Sequence, residues 1–183
     1  MSKIRPITML ALAASLFLAM YTTVKAEQAQ EETPGSNVRV GTFDSRALAI
    51  AYYRSEAFRR QMNEMRTEHE EAKAAGDEGL VRELEFEGSA QQELMHKQGF
   101  STWQVDNILE MIKGEIPEIA IQANVDVIIS KWALVYRRPE VEPIDVTSFM
   151  VKPFDPDDRT LTMIKDIQKQ DPVTLDELNS HQD

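Results

Sequence analysis

The chain has 183 residues, no cysteine and a formal net charge of -11. The missing cysteines exclude disulfides, thiolate catalysis and cysteine-based zinc sites. The acidity argues against nucleic acid and strong anionic-membrane binding, because like charges repel over a Debye length of roughly 8–10 Å. Arg137-Arg138 is the only tight basic pair near a predicted strand, and it is too small to reverse that.

Residues 1–26 have the three parts of a cleavable signal peptide. Lys3 and Arg5 form a basic start. An apolar run from Ile7 to Tyr21 follows, and Val24-Lys25-Ala26 precedes a cleavage point ahead of Glu27. The run is shorter than the roughly 20 residues of a spanning helix. Export, with the periplasm as first location, is therefore expected. Cleavage removes Lys3, Arg5 and Lys25 and no acid, so the net charge moves by three, from -11 to -14. Residues 27–37 (EQAQEETPGSN) read as a flexible acidic leader.

Residues 38–43 (VRVGTF) predict a short strand, and Asp44-Ser45 can cap a helix behind it. Leu48, Tyr52, Ser55, Phe58, Met62, Met65, His69 and Ala72 recur at spacings of three and four, the pattern of a helix–helix seam. Gly76 can end that helix and Asp77 can cap the next. A second helix is expected from Leu80 through Leu84 and Leu94 toward Lys97, interrupted at Gly99. Val105, Ile108, Leu109, Ile112, Ile116 and Ile119 give a broad apolar face, which Pro117 should kink or divide near Gly114. Residues 45–123 thus read as two antiparallel helical arms.

Residues 125–130 (VDVIIS) are rich in β-branched side chains and predict a strand, and residues 132–136 (WALVY) predict another. Asp145 can cap a short helix through Val146, Phe149 and Met150. Residues 152–183 read as an acidic, proline-containing tail, with one or two helical turns at 161–167.

No catalytic constellation stands out. His69-Glu70-Glu71 lacks a second histidine one turn on, where Lys73 stands, so the helical zinc motif is absent. Carboxylates are abundant but lie in polar contexts, and Asp155-Pro156-Asp157-Asp158 lacks the glycine and terminal acid of a calcium loop. Neither enzyme activity nor a metal or other cofactor is expected.

The order strand, long helix, turn, long helix, strand, strand, short helix resembles the Skp/OmpH family of periplasmic chaperones. Val38-Arg39-Val40-Gly41-Thr42-Phe43-Asp44-Ser45 is similar to that family's opening strand. Residues 125–130 and 133–136 are similar to its strand pair, and Ile144-Asp145-Val146-Thr147 to its closing segment. The resemblance covers residues 38–151. It implies an α+β fold, a small β body carrying a protruding antiparallel helical hairpin. It also implies a homotrimer that holds unfolded exported or outer-membrane proteins. By the same resemblance, Val38, Val40, Phe43, Val127, Ile129, Leu134 and Tyr136 are candidates for the oligomer body. Phe58, Met62, Met65, Leu84, Leu94 and Met95 are candidates for the client-facing surface. The alternative is a non-enzymatic coiled-coil scaffold or adaptor that binds one folded partner, a role suited to the acidity.

Overall fold

The computed structural model describes residues 38–180. The expected signal peptide and leader lie outside the described residues. The described part mixes helices with a small parallel sheet. Strand β1 is Val40–Phe43. Five helices follow: α1 Ser45–Tyr53, α2 Glu56–Ala75, α3 Glu78–Phe100, α4 Asp106–Met111 and α5 Ile116–Ala123. Then come β2 Val127–Ser130, β3 Ile144–Asp145, α6 Thr147–Met150, a 3-10 turn Lys152–Phe154, α7 Asp158–Ile167 and α8 Leu175–Ser180.

The sheet order is β2-β1-β3, with both pairings parallel. Parallel neighbours need a long crossover, and α1 to α5 supply it between β1 and β2. Val40 pairs with Val127, Thr42 with Ile129 and Phe43 with Ser130; Gly41 lies between Ile128 and Ile144. Two expectations need correction here. Residues 132–136 form turn and coil, not a strand, and the third strand is Ile144–Asp145.

The first long helix is also not continuous. It breaks at Arg54, and Ser55 restarts it by accepting a hydrogen bond from the Phe58 N–H. Serine competes well for backbone N–H groups, which favours a cap over a helix interior. The break separates α1 from α2. The Ala47, Leu48, Ala49, Ala51 and Tyr52 side chains of α1 are buried, so α1 is a core helix rather than part of an arm. The turn between α2 and α3 follows the sequence expectation. Gly76 takes a φ of 70° and closes α2 through Ala72 and Lys73. Asp77 then accepts from the Leu80 N–H to open α3. Gly99 does not interrupt α3, which runs through to Phe100. Pro117 divides the next apolar run as expected, sitting in the first turn of α5 where its missing N–H costs nothing.

The core lies between one sheet face and α1, α4 to α7 and the 3-10 turn. Phe43, Leu48, Ile108, Val146, Met150 and Ile164 are among its members. Residues 152–167, read in the sequence as tail, belong to it. Phe154 stacks near Tyr52 with centroids 5.7 Å apart, and Ile164 and Thr160 are buried. The physical reason is a clean helical period on α7, with Asp157 capping it through the Thr160 N–H.

Gly41 shows how tight this layer is. A Cβ there would stand 2.9 Å from Val146 Cγ1 and 3.1 Å from Val125 Cγ2. Gly41→Ala is therefore expected to cost about 1–3 kcal/mol through overpacking. Thermal melting of the variant against the parent chain measures it, and an unchanged midpoint would show that the layer gives way freely.

Candidate interaction surface

The Asp44 carboxylate organises the carboxyl end of the sheet. Oδ1 accepts from the backbone N–H of Arg46 at 3.0 Å and from its Nε at 3.1 Å. Oδ2 accepts from Arg46 Nη2 at 2.9 Å and from Lys131 Nζ at 2.7 Å. Both Asp44 and Arg46 are fully buried. Arg46 Nη2 also donates to the carbonyls of Ile167 and Gln170, each at 3.0 Å. The Asp44 N–H donates to Thr147 Oγ1. One side chain thus ties together β1, α1, the end of β2 and, through Arg46, the end of α7. Burial alone would raise the Asp44 pKa. Hydrogen bonds and charge from Arg46 and Lys131 outweigh it and hold the carboxyl below its ordinary value.

Trp132 completes the cluster. The Arg46 guanidinium lies 4.9 Å from its ring centroid and Lys131 Nζ 4.3 Å. Beside it opens a cleft of about 430 Å³ lined by Phe43, Ser45, Trp103, Leu109, Ile128 and Trp132, among others.

Strand pleating sorts the sheet residues into two faces. Gly41, Phe43 and Ile128 face the core. Val40, Thr42, Val127 and Ile129 share the other face. None of these four joins the core cluster, and Val127 stays 45% exposed. A parallel sheet is normally covered on both faces.

The α2–α3 pair forms a second surface. Leu84 and Ala72 are buried between the helices. Met62, Met65, Arg66, His69, Leu84 and Glu85 line a groove of about 230 Å³. His69 Nε2 lies 3.3 Å from Glu85 Oε1, and Lys73 Nζ 4.0 Å from the same oxygen.

The candidate residues divide between these places. Val40, Val127 and Ile129 lie on the sheet face away from the core, Val127 exposed and the other two half-buried, with exposed Val38 just before β1. Phe43 instead points into the core and is 4% exposed. Leu134 is half-buried and Tyr136 is 77% exposed, both outside any strand. Met62, Met65 and Leu84 meet in the groove. Leu94 and Met95 are half-buried on α3. Phe58 is only 4% exposed and packs edge-on against Tyr53 at 4.9 Å, so it is a core residue rather than a client contact. Sequence reasoning passed over Phe86, which is 76% exposed on α3. Its signal was an aromatic residue flanked by Glu85 and Glu87, off the seam period. It also passed over the Asp44–Arg46–Lys131 cluster, because nothing marked Asp44 as more than a cap. Among the described residues no group of three or more histidines and carboxylates could hold a metal, and no helix is long and apolar enough to cross a membrane.

The depressed Asp44 pKa sets a pH dependence. The folded pKa lies below the unfolded value of about 3.9. This contribution to stability is therefore present above pH ~3.9 and is lost as pH falls through the folded pKa. Asp44→Ala leaves Arg46 buried without its carboxylate and is expected to cost about 3–5 kcal/mol at neutral pH. The penalty should shrink in acid as the parent's carboxyl protonates. Melting of parent and variant at neutral and acid pH tests both statements.

Comparison with family models gives no match, and comparison with curated proteins and with solved structures gives none either.

Proposed function

We propose that this chain is an exported, non-enzymatic binding protein of the holdase type. In this reading the α2–α3 pair is a protruding helical hairpin that holds unfolded exported or outer-membrane polypeptides. Copies associate through their sheets, three together by the resemblance. The observation that carries the reading is the make-up of the helix pair. Its groove is lined by Met62 and Met65, and methionine adapts to apolar partners of varied shape. Phe86 adds an exposed aromatic anchor. The sheet face away from the core supports association of copies, because none of its residues joins the core cluster and Val127 on it stays exposed.

One feature favours the second reading, an adaptor for a single folded partner. On the helix pair, only Phe86 and Phe100 are large apolar residues exposed among the described ones. Two isolated anchors suit one defined partner, whereas a holdase uses a broader surface. Cross-linking in intact cells separates the two, since an adaptor yields one dominant product and a holdase yields many.

The direct test is aggregation of an unfolded outer-membrane protein diluted from denaturant. A stoichiometric amount of the chain is expected to keep it in solution. Phe86→Ala should weaken the effect by about tenfold or more, the scale of a truncated anchor side chain. An exposed residue of this kind should leave melting unchanged. Aggregation that proceeds equally with and without the chain would refute the holdase reading.

A further inference from the structure

We propose that the cleft beside the Asp44 cluster binds an aromatic carboxylate, with Ser45 and Trp132 donating hydrogen bonds to its carboxylate group. This site is independent of the holdase reading, and it uses neither the helix pair nor an association of copies.

Three buried polar atoms here lack partners. Among the described residues, Ser45 Oγ, Arg46 Nη1 and Trp132 Nε1 are buried side-chain atoms with no hydrogen bond. Buried polar groups are nearly always paired, because an unpaired one has given up its hydration for nothing. The three lie together. Ser45 and Arg46 are neighbours at the start of α1, 2% and 0% exposed. The Arg46 guanidinium lies 4.9 Å from the Trp132 ring centroid.

Two of the three residues, Ser45 and Trp132, line the cleft. Its volume of about 430 Å³ falls toward the lower end of the roughly 300–1,000 Å³ typical of small-molecule sites. The ligand is therefore small, about one ring with a short polar end.

The donors fix the chemistry of that polar end. Indole and guanidinium N–H groups only donate, and a serine hydroxyl can donate. The ligand must accept. Asp44 places one negative charge between Arg46 and Lys131. The cluster thus keeps one net positive charge inside a chain whose total is -11. A charged acceptor is held more strongly there than a neutral carbonyl. A carboxylate has the matching single charge, and its two oxygens match the two lining donors. Asp106 also lines the cleft, from α4. Its like charge disfavours a carboxylate beside it, so the group is assigned to Ser45 and Trp132.

The walls fix the body of the ligand. Phe43, Trp103, Leu109 and Ile128 are apolar. Among the described residues neither tryptophan ring packs on another aromatic ring. A flat ring seated against them gains the offset or edge-on contacts that aromatic pairs prefer. A free aromatic acid carries this chemistry, and so does an aromatic residue at the carboxyl end of a polypeptide.

Trp103 and Trp132 are the only tryptophans of the chain, so its intrinsic fluorescence reports on this cleft. The full chain is titrated with 3-phenylpropanoate, which is transparent where tryptophan is excited. A saturable change in emission is expected, with calorimetry giving the same Kd. The corresponding amide, which lacks the charge, and acetate, which lacks the ring, should each bind about tenfold or more weakly. Ser45→Ala should weaken binding of the acid by about tenfold. Its melting should not fall, because Ser45 Oγ bonds to nothing within the described residues. A tripeptide ending in phenylalanine separates the sources: tighter binding than the free acid marks a chain end, weaker binding a free acid. Neither acid nor tripeptide binding at millimolar concentration would overturn the proposal. So would an amide or acetate that binds as well as the acid, or a Ser45→Ala chain that keeps the parent's affinity. No client is present in these titrations, so failure of this site and failure of the holdase reading are told apart.

Discussion

A buried carboxylate between two cations governs the arrangement of this chain. Asp44 has no water to solvate it, so its charge is tolerable only if Arg46 and Lys131 stay in place. Each partner brings its own attachments. Arg46 reaches the last turn of α7, and Lys131 fixes the exit from β2. The geometry at the carboxyl end of the sheet is thus set by an electrostatic constraint, and apolar packing fills in around it. A non-polar triad of similar volume would cost less to bury. It would not dictate, residue by residue, where the chain leaves β2.

That exit decides which surfaces the protein presents. The Ala133 N–H bonds to the Ser130 carbonyl around Lys131-Trp132, neither of which has positive φ, so this is not the primed turn that lets two strands lie side by side. Among the described residues Val127 therefore stays exposed on the outer sheet face, and Val135 and Tyr136 stand in solvent. The helix pair is a different kind of surface. Its seam is made by local contacts across one turn at Gly76, and its charges of both signs keep the remaining faces hydrated. Under the proposed function, binding and association are therefore separable by mutation.

Local signals in the sequence were legible where local physics decides. β1, the Gly76–Asp77 turn, the division at Pro117 and the strand at 127–130 all follow from residues next to one another. Ser55 stood in plain view as a flaw in the seam, but only the structure shows that it ends one helix and caps another. The assignment of residues 132–136 to a strand rested on residue type and on the family resemblance. Residue type reports which residues prefer a sheet and says nothing about whether a neighbour is within reach. Phe58 fitted the helical seam by spacing, yet the break at Arg54 carries it into the aromatic cluster of the core. The long-range part was hidden altogether. Asp44 and Ile167 are brought together through Arg46 across most of the chain, and no spacing rule spans that distance.

The same bridge has a temporal side. Arg46 finds its carbonyl partner on Gln170 across a separation of 124 residues. A polypeptide that emerges with its N-terminus first has β1 and α1 in hand before the helix pair, but it must wait for residues 167 to 170 to close them. Until then Asp44 and Arg46 can pair with each other while the far side of the guanidinium stays in water. The helix pair, whose contacts are local, can form during this interval. The layer around Asp44 is therefore closed after the helix pair can form, although β1 precedes that pair in the chain.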